Sequence, residues 1–328
     1  MNRFYDNQEA RLVLEAETTR ACQEIDAPCP LLADIDVGRI WRRQMQKYLL
    51  IASQMRDYVV SQFDQPYCYR LTHKSEPDSE AYFRLHGIVC SKVLPPFTNK
   101  PRIQTIQHVR NLRQFVRLTG LGSPGFERTG SAFEKVVELF KGTLRTDMMT
   151  GAEDRMYEGD PAIDCHARYF TDRELVPQEK HQPFDEVVDP YHILEDIRGT
   201  SFIHGPDNKV EYLKKTTEEG ETTYTPMDPI NVCEGDIVEV TVAFVCVPIK
   251  NSQYRFLTAL RAIAHISSVV REAADMQREK ASAILMPQIH TPRVLKRKKL
   301  FSQEEKRAKR GRGSENGIMQ LEMRVDDE

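Results

Sequence analysis

The sequence predicts an α+β protein: a helical N-terminal half, then an antiparallel β-domain, a trailing helix and a disordered basic tail. Apolar residues in the first half recur every three or four positions, as in helices. Beyond about residue 200 the period shortens to two, which is typical of strands. The last part of the chain is polar and densely charged. An OB-like barrel is one candidate architecture for the β-domain.

The chain divides into four expected segments. Its 328 residues allow about two domains, and 40% hydrophobic residues are enough to form a core. Between residues 147 and 196 there are 14 Asp or Glu against four Lys or Arg, which favours an exposed linker. We therefore expect a mainly helical domain over 1–146, an acidic irregular linker over 147–186, a β-rich domain with a C-terminal helix over 187–286, and a disordered tail over 287–328.

Two helices are predicted near the start, one over Asn7–Ile25 and one that begins after Gly38 and ends near Phe63. In the second, apolar positions alternate by four and three residues: Trp41, Met45, Tyr48, Ala52, Met55 and Val59. This seam predicts a helix that packs along another helix. An amphipathic core helix is the simpler interpretation, and a homo-oligomer joined through the Trp41–Val59 helix is the alternative.

A basic helix is predicted over Arg102–Leu118. Arg110, Arg113 and Arg117 recur in it at helical spacing, and residues 92–117 hold six Lys or Arg and no acid. Such a face could contact the phosphates of a nucleic acid. It could equally be an ordinary charged face that pairs with the acidic segment of the same chain.

The second half contains two predicted hairpins and a helix. Lys209–Lys214 and Thr222–Thr225 form the first hairpin, Ile237–Val247 and Tyr254–Ile266 form a longer one, and a helix follows to about Leu285. The last long strand carries aromatic and cationic residues suited to stacking on bases and following a single strand. These are Tyr254, Arg255, Phe256 and Arg261. In the alternative interpretation the aromatic side chains belong to the core of a β-domain.

Catalytic and metal-binding signatures are not evident in the sequence. Asp164-Cys165-His166 places a thiol beside an imidazole, but a catalytic pair is assembled from distant residues, so adjacency predicts no chemistry. Neither the CxxC nor the HExxH spacing occurs, so we expect no metal and no cofactor.

The net charge of −3 conceals a basic segment from Arg293 to Arg312, with ten Lys or Arg and two Glu. Its two clusters have the layout of a bipartite nuclear-import signal, so we expect an import receptor as partner and the nucleus as location. The clusters comprise Lys296, Arg297, Lys298, Lys299, Lys306, Arg307, Lys309 and Arg310. A non-specific nucleic-acid tail and a solubilising terminus are the alternatives.

The remaining compositional features fit an intracellular protein. Seven scattered cysteines, an odd number, indicate reduced thiols. There is no apolar run of about 18 residues, so we expect no membrane span. The N-terminus lacks the apolar stretch of a secretory signal.

The segments Asp189–Leu194, Asn208–Tyr212, Gly235–Glu239 and Leu260–Ala264 carry a family resemblance. Over about residues 185–300 the chain resembles a family of uncharacterised proteins predicted in mushroom-forming (basidiomycete) fungi, which share a β-unit followed by a Lys/Arg-rich C-terminus. The resemblance implies a eukaryotic intracellular protein and transfers no functional residue.

Together these features lead us to expect a non-enzymatic nuclear protein that binds nucleic acid, with single-stranded DNA or RNA as the candidate ligand. A protein–protein scaffold or assembly subunit that uses the helical N-terminal half is the first alternative. A degenerate mobile-element enzyme, with carboxylates drawn from the acidic segment, is the second.

Overall fold

The chain is an α+β protein with a large mixed β-sheet and few helices. The computed structural model describes residues 1–24, 27–35, 55–103, 105–145, 149–153, 155–218, 221–250 and 253–285. The helices in these ranges are α1 (Asn7–Ala21), α2 (Ile106–Asn111), α3 (Pro124–Leu144), α4 (Ile193–Arg198) and α5 (Val269–Leu285). The strands are β1 (Tyr58–Asp64), β2 (Tyr67–His73), β3 (Glu76–Glu80), β4 (Tyr82–Val93), β5 (Arg113–Thr119), β6 (Met149–Thr150), β7 (Arg155–Tyr157), β8 (Asp160–Arg168), β9 (Thr171–Asp172), β10 (Phe202–Ile203), β11 (Glu211–Glu218), β12 (Glu221–Pro226), β13 (Ile237–Pro248) and β14 (Tyr254–Ser267).

Five strands form a closed circuit at the centre of the sheet. The circuit runs β4, β5, β8, β14 and β13, and it closes because β13 pairs with both β14 and β4. All neighbours in it are antiparallel except β8 and β14, which are parallel. Since successive side chains of a strand point to opposite faces, one set fills the inside of the circuit and the other faces outward. Phe83, Leu85, Val116, Phe244 and Leu260 are buried in the resulting core.

Helix α3 packs against this core. Pro124 occupies its first turn and the Ser123 side chain accepts a hydrogen bond from the Phe126 amide, two features that favour a helix start. Phe133 and Phe140 then contact the ring of Phe256 at centroid distances of 5.6 and 5.3 Å. Phe133 also contacts Phe244 of β13 at 5.8 Å, so aromatic contacts fix α3 to both β13 and β14.

A buried ionic cluster lies on the outer face of β4 and β13. The Glu239 carboxylate lies 3.0 Å from Arg84, 2.9 Å from Lys215 and 2.8 Å from the His86 ring. Glu24, from the segment after α1, also contacts Arg84 and Lys215. The cluster therefore connects the N-terminal segment and the β11–β12 hairpin to the central strands.

The predicted helical N-terminal half is wrong, because residues 58–93 and 113–119 form strands. Met55 lies in a short 3-10 turn and Val59 lies in β1. The predicted seam residues Trp41, Met45, Tyr48 and Ala52 lie outside the described residues. The helical interpretation failed here because Tyr58, Val59 and Val60 are β-branched or aromatic residues that favour a pleated surface.

The predicted irregular linker over 147–186 is also wrong, because it contains β8, a strand of the central circuit. Met1–Ala281 form one compact unit, so no domain boundary falls in this range. In β8, Cys165 and Ala167 are buried while Asp164, His166 and Arg168 face outward. These polar outward side chains made a central strand resemble an exposed segment.

Several predicted elements are confirmed. Helix α1, the β11–β12 hairpin, the long strands β13 and β14, and helix α5 all lie within a few residues of their predicted bounds. The tail with both basic clusters lies outside the described residues. In the part of the chain that the structure describes, the helices are too short or too polar to cross a membrane.

Candidate functional site

Three neighbouring strands of the circuit present polar and aromatic side chains on one outward face. Arg113 of β5 pairs with Arg168 of β8, and Phe115 pairs with His166 in the next register position of the same face. On its other side His166 pairs with Ala259 of β14, which is the one ladder pair between β8 and β14 in the described residues. The ladders therefore bring residues of β5, β8 and β14 together around His166.

A groove with a volume of about 1170 Å³ runs over this face. Its walls come from β5, β8 and β14, and α3 contributes Gly130 and Phe133. A Cβ atom added at Gly130 would meet nothing within 4 Å, so the helix leaves space at this point. Among the aromatic and basic residues that line the groove are Tyr67, Arg113, Phe115, His166, Arg168 and Arg255. The lining also contains acidic residues: Glu127, Glu134, Glu153, Asp164 and Asp207.

Arg113, Arg168 and Arg255 are the groove cations that no carboxylate of the described residues holds in an ion pair. All three are exposed, and none makes an ion pair within the described residues. The groove walls partly desolvate Arg168, and the charges of Arg255, Arg110 and Arg113 add to this effect against the opposing pull of Asp172, so its pKa is lowered. Cations held this close together repel one another until an anion binds between them.

His166 lies half-buried among these cations. Burial is the main reason that its pKa falls to about 4, and the positive charges of Arg113, Arg168 and Arg255 lower it further. Among the described residues, Asp164 is the carboxylate that opposes the shift, and it already accepts two hydrogen bonds from Arg117. The imidazole of His166 is therefore neutral at ordinary pH in the unliganded groove.

Three tyrosines form an aromatic cluster beside the groove. The ring centroids of Tyr67 and Tyr69 are 5.8 Å apart, and Tyr254 lies 5.8 Å from Tyr69 on the other side. Tyr67 is 44% exposed and also lines the groove. Tyr67 therefore connects the cluster to the groove, whereas Tyr69 and Tyr254 do not line it.

The predicted site residues divide into two groups. Arg113 and Arg255 line the groove without an ion pair, and Tyr254 belongs to the tyrosine cluster. The other four already have partners within the protein, although Arg261 and Phe256 also line the groove. Arg110 donates two hydrogen bonds to Asp172, Arg117 donates two to Asp164, Arg261 contacts Glu80 and Asp207, and Phe256 is 1% exposed in the core.

The proposed single basic helix does not exist. Arg110 lies in the short helix α2, whereas Arg113 and Arg117 lie in strand β5. Their spacing of three and four residues fits a helix, but Gln114, Val116 and Leu118 are buried at a period of two. The outward residues of β5 are consequently Arg113, Phe115 and Arg117.

The sequence interpretation missed Phe115, His166, Arg168, Tyr67 and Tyr69 as site residues. The signal for two of them was the period of two in Asp164, His166 and Arg168. Cys165 points the opposite way into the core, where burial raises the pKa of its thiol. Cys165 and His166 therefore face different sides of the strand and form no pair.

Within the described ranges, no three His, Cys, Asp or Glu side chains are grouped as metal ligands would be. No protein-family model matches the chain, and no curated protein matches it in sequence. Among solved structures, it is similar to gp2.5, a single-stranded DNA-binding protein encoded by bacteriophage T7. That alignment covers 58% of this chain and 87% of gp2.5, with 10% sequence identity and a TM-score of 0.29.

Proposed function

We propose that the protein binds single-stranded nucleic acid along the groove and is not an enzyme. The observation that carries the proposal is the set of exposed guanidinium groups on Arg113, Arg168 and Arg255, which make no ion pair in the described part of the chain. Phosphates supply the missing negative charge and release counterions from the strand. The neighbouring tyrosines offer ring faces and edges to the bases, as in other single-strand binding surfaces.

The position of the groove on the fold supports the same proposal. In chain order the circuit strands are β4, β5, β8, β13 and β14, so β5 and β8 are the second and third strands of a five-stranded barrel. We propose that this barrel is of the OB type, in which the face of the second and third strands is the surface that binds oligonucleotides. Arg113, Phe115, His166 and Arg168 lie on that face.

The experiment is to measure binding of a fluorescent oligothymidylate and of a duplex of equal length over a salt series. We expect the single strand to bind more tightly, and we expect its affinity to fall with salt in proportion to the number of phosphates contacted. The absence of salt-dependent binding at low ionic strength would reject the proposal.

A tyrosine substitution distinguishes base stacking from charge attraction alone. Tyr67→Ala, at the tyrosine of the cluster that lines the groove, should weaken binding by about 1–3 kcal/mol without changing the salt slope, because stacking carries no charge. Tyr191→Ala is the matched control, since Tyr191 is 62% exposed and does not line the groove. Equal affinities of the two variants would show that the tyrosine cluster is not part of the interface.

We further propose that the protein acts in the nucleus, on the strength of the basic clusters Lys296–Lys299 and Lys306–Arg310 in the sequence. The test is to express the full chain with a fluorescent label in eukaryotic cells, with and without replacement of both clusters by alanine. We expect nuclear accumulation of the unaltered chain alone. The same distribution for both would exclude these clusters as the import signal.

A further inference from the structure

We propose that His166, Arg113, Arg168 and Arg255 form a subsite for one phosphate group, and that His166 takes up a proton when the phosphate binds. This inference rests on the proposed function and identifies the part of the groove that recognises the backbone. Arg113 and Arg168 are cross-strand partners, and His166 lies one outward position along β8 from Arg168.

The charged groups around His166 come from each strand packed beside it. Strand β5 contributes Arg113, with Phe115 directly across the ladder, and β14 contributes Arg255, with Ala259 as the paired residue. Strand β8 itself contributes Arg168 and Asp164. Three cations therefore act on the imidazole against one carboxylate, and that carboxylate is held by Arg117.

A phosphate in the groove reverses this balance. Its negative charge offsets the arginines, and its oxygen can accept a hydrogen bond from a protonated ring nitrogen of His166. Arg113, Arg168 and Arg255 supply the remaining donors, and a guanidinium can meet two phosphate oxygens at once. The bound state consequently favours the imidazolium form, whereas the unliganded groove favours the neutral form.

The direction of the pH effect follows from this difference. The pKa of His166 is about 4 in the free protein and is higher in the complex, so protons bind more tightly to the complex. Affinity must then rise as pH falls through the interval between the bound and free pKa values. With one coupled proton, the dissociation constant decreases by at most about tenfold per pH unit.

The experiment measures oligothymidylate binding from pH 8 to pH 5 at constant ionic strength, because thymine does not titrate in this interval. The full chain is compared with His166→Gln, which keeps a hydrogen-bonding side chain but removes the titration. His73→Gln is the control, since His73 lies on β2 and does not line the groove. We expect the affinity of the unaltered chain and of His73→Gln to increase at low pH. The increase should be clearly smaller for His166→Gln.

Calorimetry of the unaltered chain in two buffers of different ionisation enthalpy tests the same point without a substitution. We expect net uptake of a fraction of a proton at pH 6. The subsite would be overturned if the unaltered chain and His166→Gln bound with the same pH dependence and calorimetry showed no proton uptake. A complete lack of oligonucleotide binding at every pH would instead overturn the proposed function.

The shared ligand chemistry is a phosphate group, which a nucleic-acid backbone or a free nucleotide could supply. Inorganic phosphate and thymidine monophosphate serve as competitors in the same titration. Displacement of the oligonucleotide only by a second oligonucleotide supports a backbone phosphodiester as the ligand. Displacement by thymidine monophosphate at similar concentration would overturn that assignment and identify a mononucleotide site.

Discussion

At the scale of single residues, Glu239 shows how this chain tolerates buried charge. Its side chain is 2% exposed, and its oxygens lie within hydrogen-bond distance of donors from three strands. The groups are Arg84 and His86 of β4, Lys215 of β11 and Tyr224 of β12. A buried ion is tolerated only where such partners satisfy it. The buried cations Arg84 and Lys215 in turn depend on this carboxylate for their compensating charge.

Glu239→Gln should destabilise the fold at pH 7 by about 3–5 kcal/mol, because it leaves Arg84 and Lys215 buried with less compensating charge. Urea unfolding measures the change. Glu211→Gln is the control, since Glu211 is an exposed residue of β11. A loss no larger than that of the control would contradict the role given to the cluster.

The pKa of Glu239 also determines how the stability of the fold depends on pH. Burial would raise the pKa of Glu239, but the hydrogen bond from His86 and the charges of His86, Arg84 and Lys215 outweigh it, so the pKa lies well below its ordinary 4.5. A lowered pKa contributes stability above about pH 4.5 that is lost as pH falls below it. The stability difference between the unaltered chain and Glu239→Gln should therefore narrow on acidification.

The groove residues illustrate what single residues reveal in a sequence. Residue type alone suggested Arg113, Arg255, Arg261 and Phe256 equally. Only the folded chain separates them, because Arg261 is held by Glu80 and Asp207 while Phe256 fills the core. Whether a cation is free for a ligand depends on carboxylates that are distant in sequence.

At the scale of elements, the strands with regular patterns were predictable and those with buried polar groups were not. Strands β13 and β14 carry long apolar runs, and their bounds were predicted closely. Strand β4 holds Arg84 and His86 at buried positions, which breaks the alternation on which a prediction relies. Strand β5 was mistaken for a helix because its arginines are also compatible with a helical period.

Helix α3 supplies a prediction at this scale through its glycines. Gly130 and Gly142 lie within the helix, and a Cβ atom at either would meet nothing within 4 Å. Gly130→Ala and Gly142→Ala should each raise the free energy of unfolding by up to about 1 kcal/mol, because alanine is the better helix former.

Gly120, just before α3, is the contrasting position. A Cβ atom there would lie 2.2 Å from the Cβ of Phe126, which is 4% exposed. Gly120→Ala should therefore lower stability by about 1–3 kcal/mol through overpacking. Thermal unfolding of the three variants measures these changes. A change in stability of the same sign in all three would contradict the packing of α3 described above.

At the scale of the whole molecule, the site exists because the circuit of strands closes. Closure places Arg113, Arg168 and Arg255 on one face although they come from three separate parts of the chain. No local sequence period predicts that these three arginines lie on one face, because their proximity depends on the order in which the strands pair. The sequence could therefore suggest the ligand proposed above and two of the three arginines, but not the groove.

The acidic segment is the clearest example of this limit. Its many carboxylates favoured a linker, yet it provides β8, which carries both Arg168 and His166. Several of the carboxylates neutralise cations elsewhere, as Asp172 does for Arg110 and Asp164 does for Arg117. These ion pairs leave a small cationic surface on a chain whose net charge is −3.

The most direct test of the central claim compares salt slopes for oligothymidylate binding. The triple variant Arg113→Gln, Arg168→Gln, Arg255→Gln removes the unpaired cations of the groove. A control triple replaces exposed cations that do not line it: Arg11→Gln, Arg56→Gln and Lys141→Gln. The groove variant should lose about 0.7 from the slope of log affinity against log salt, because the three arginines together hold one phosphate and each phosphate contact on a single strand contributes about 0.7. The control should keep the slope of the unaltered chain, and an unchanged slope in the groove variant would contradict the claim.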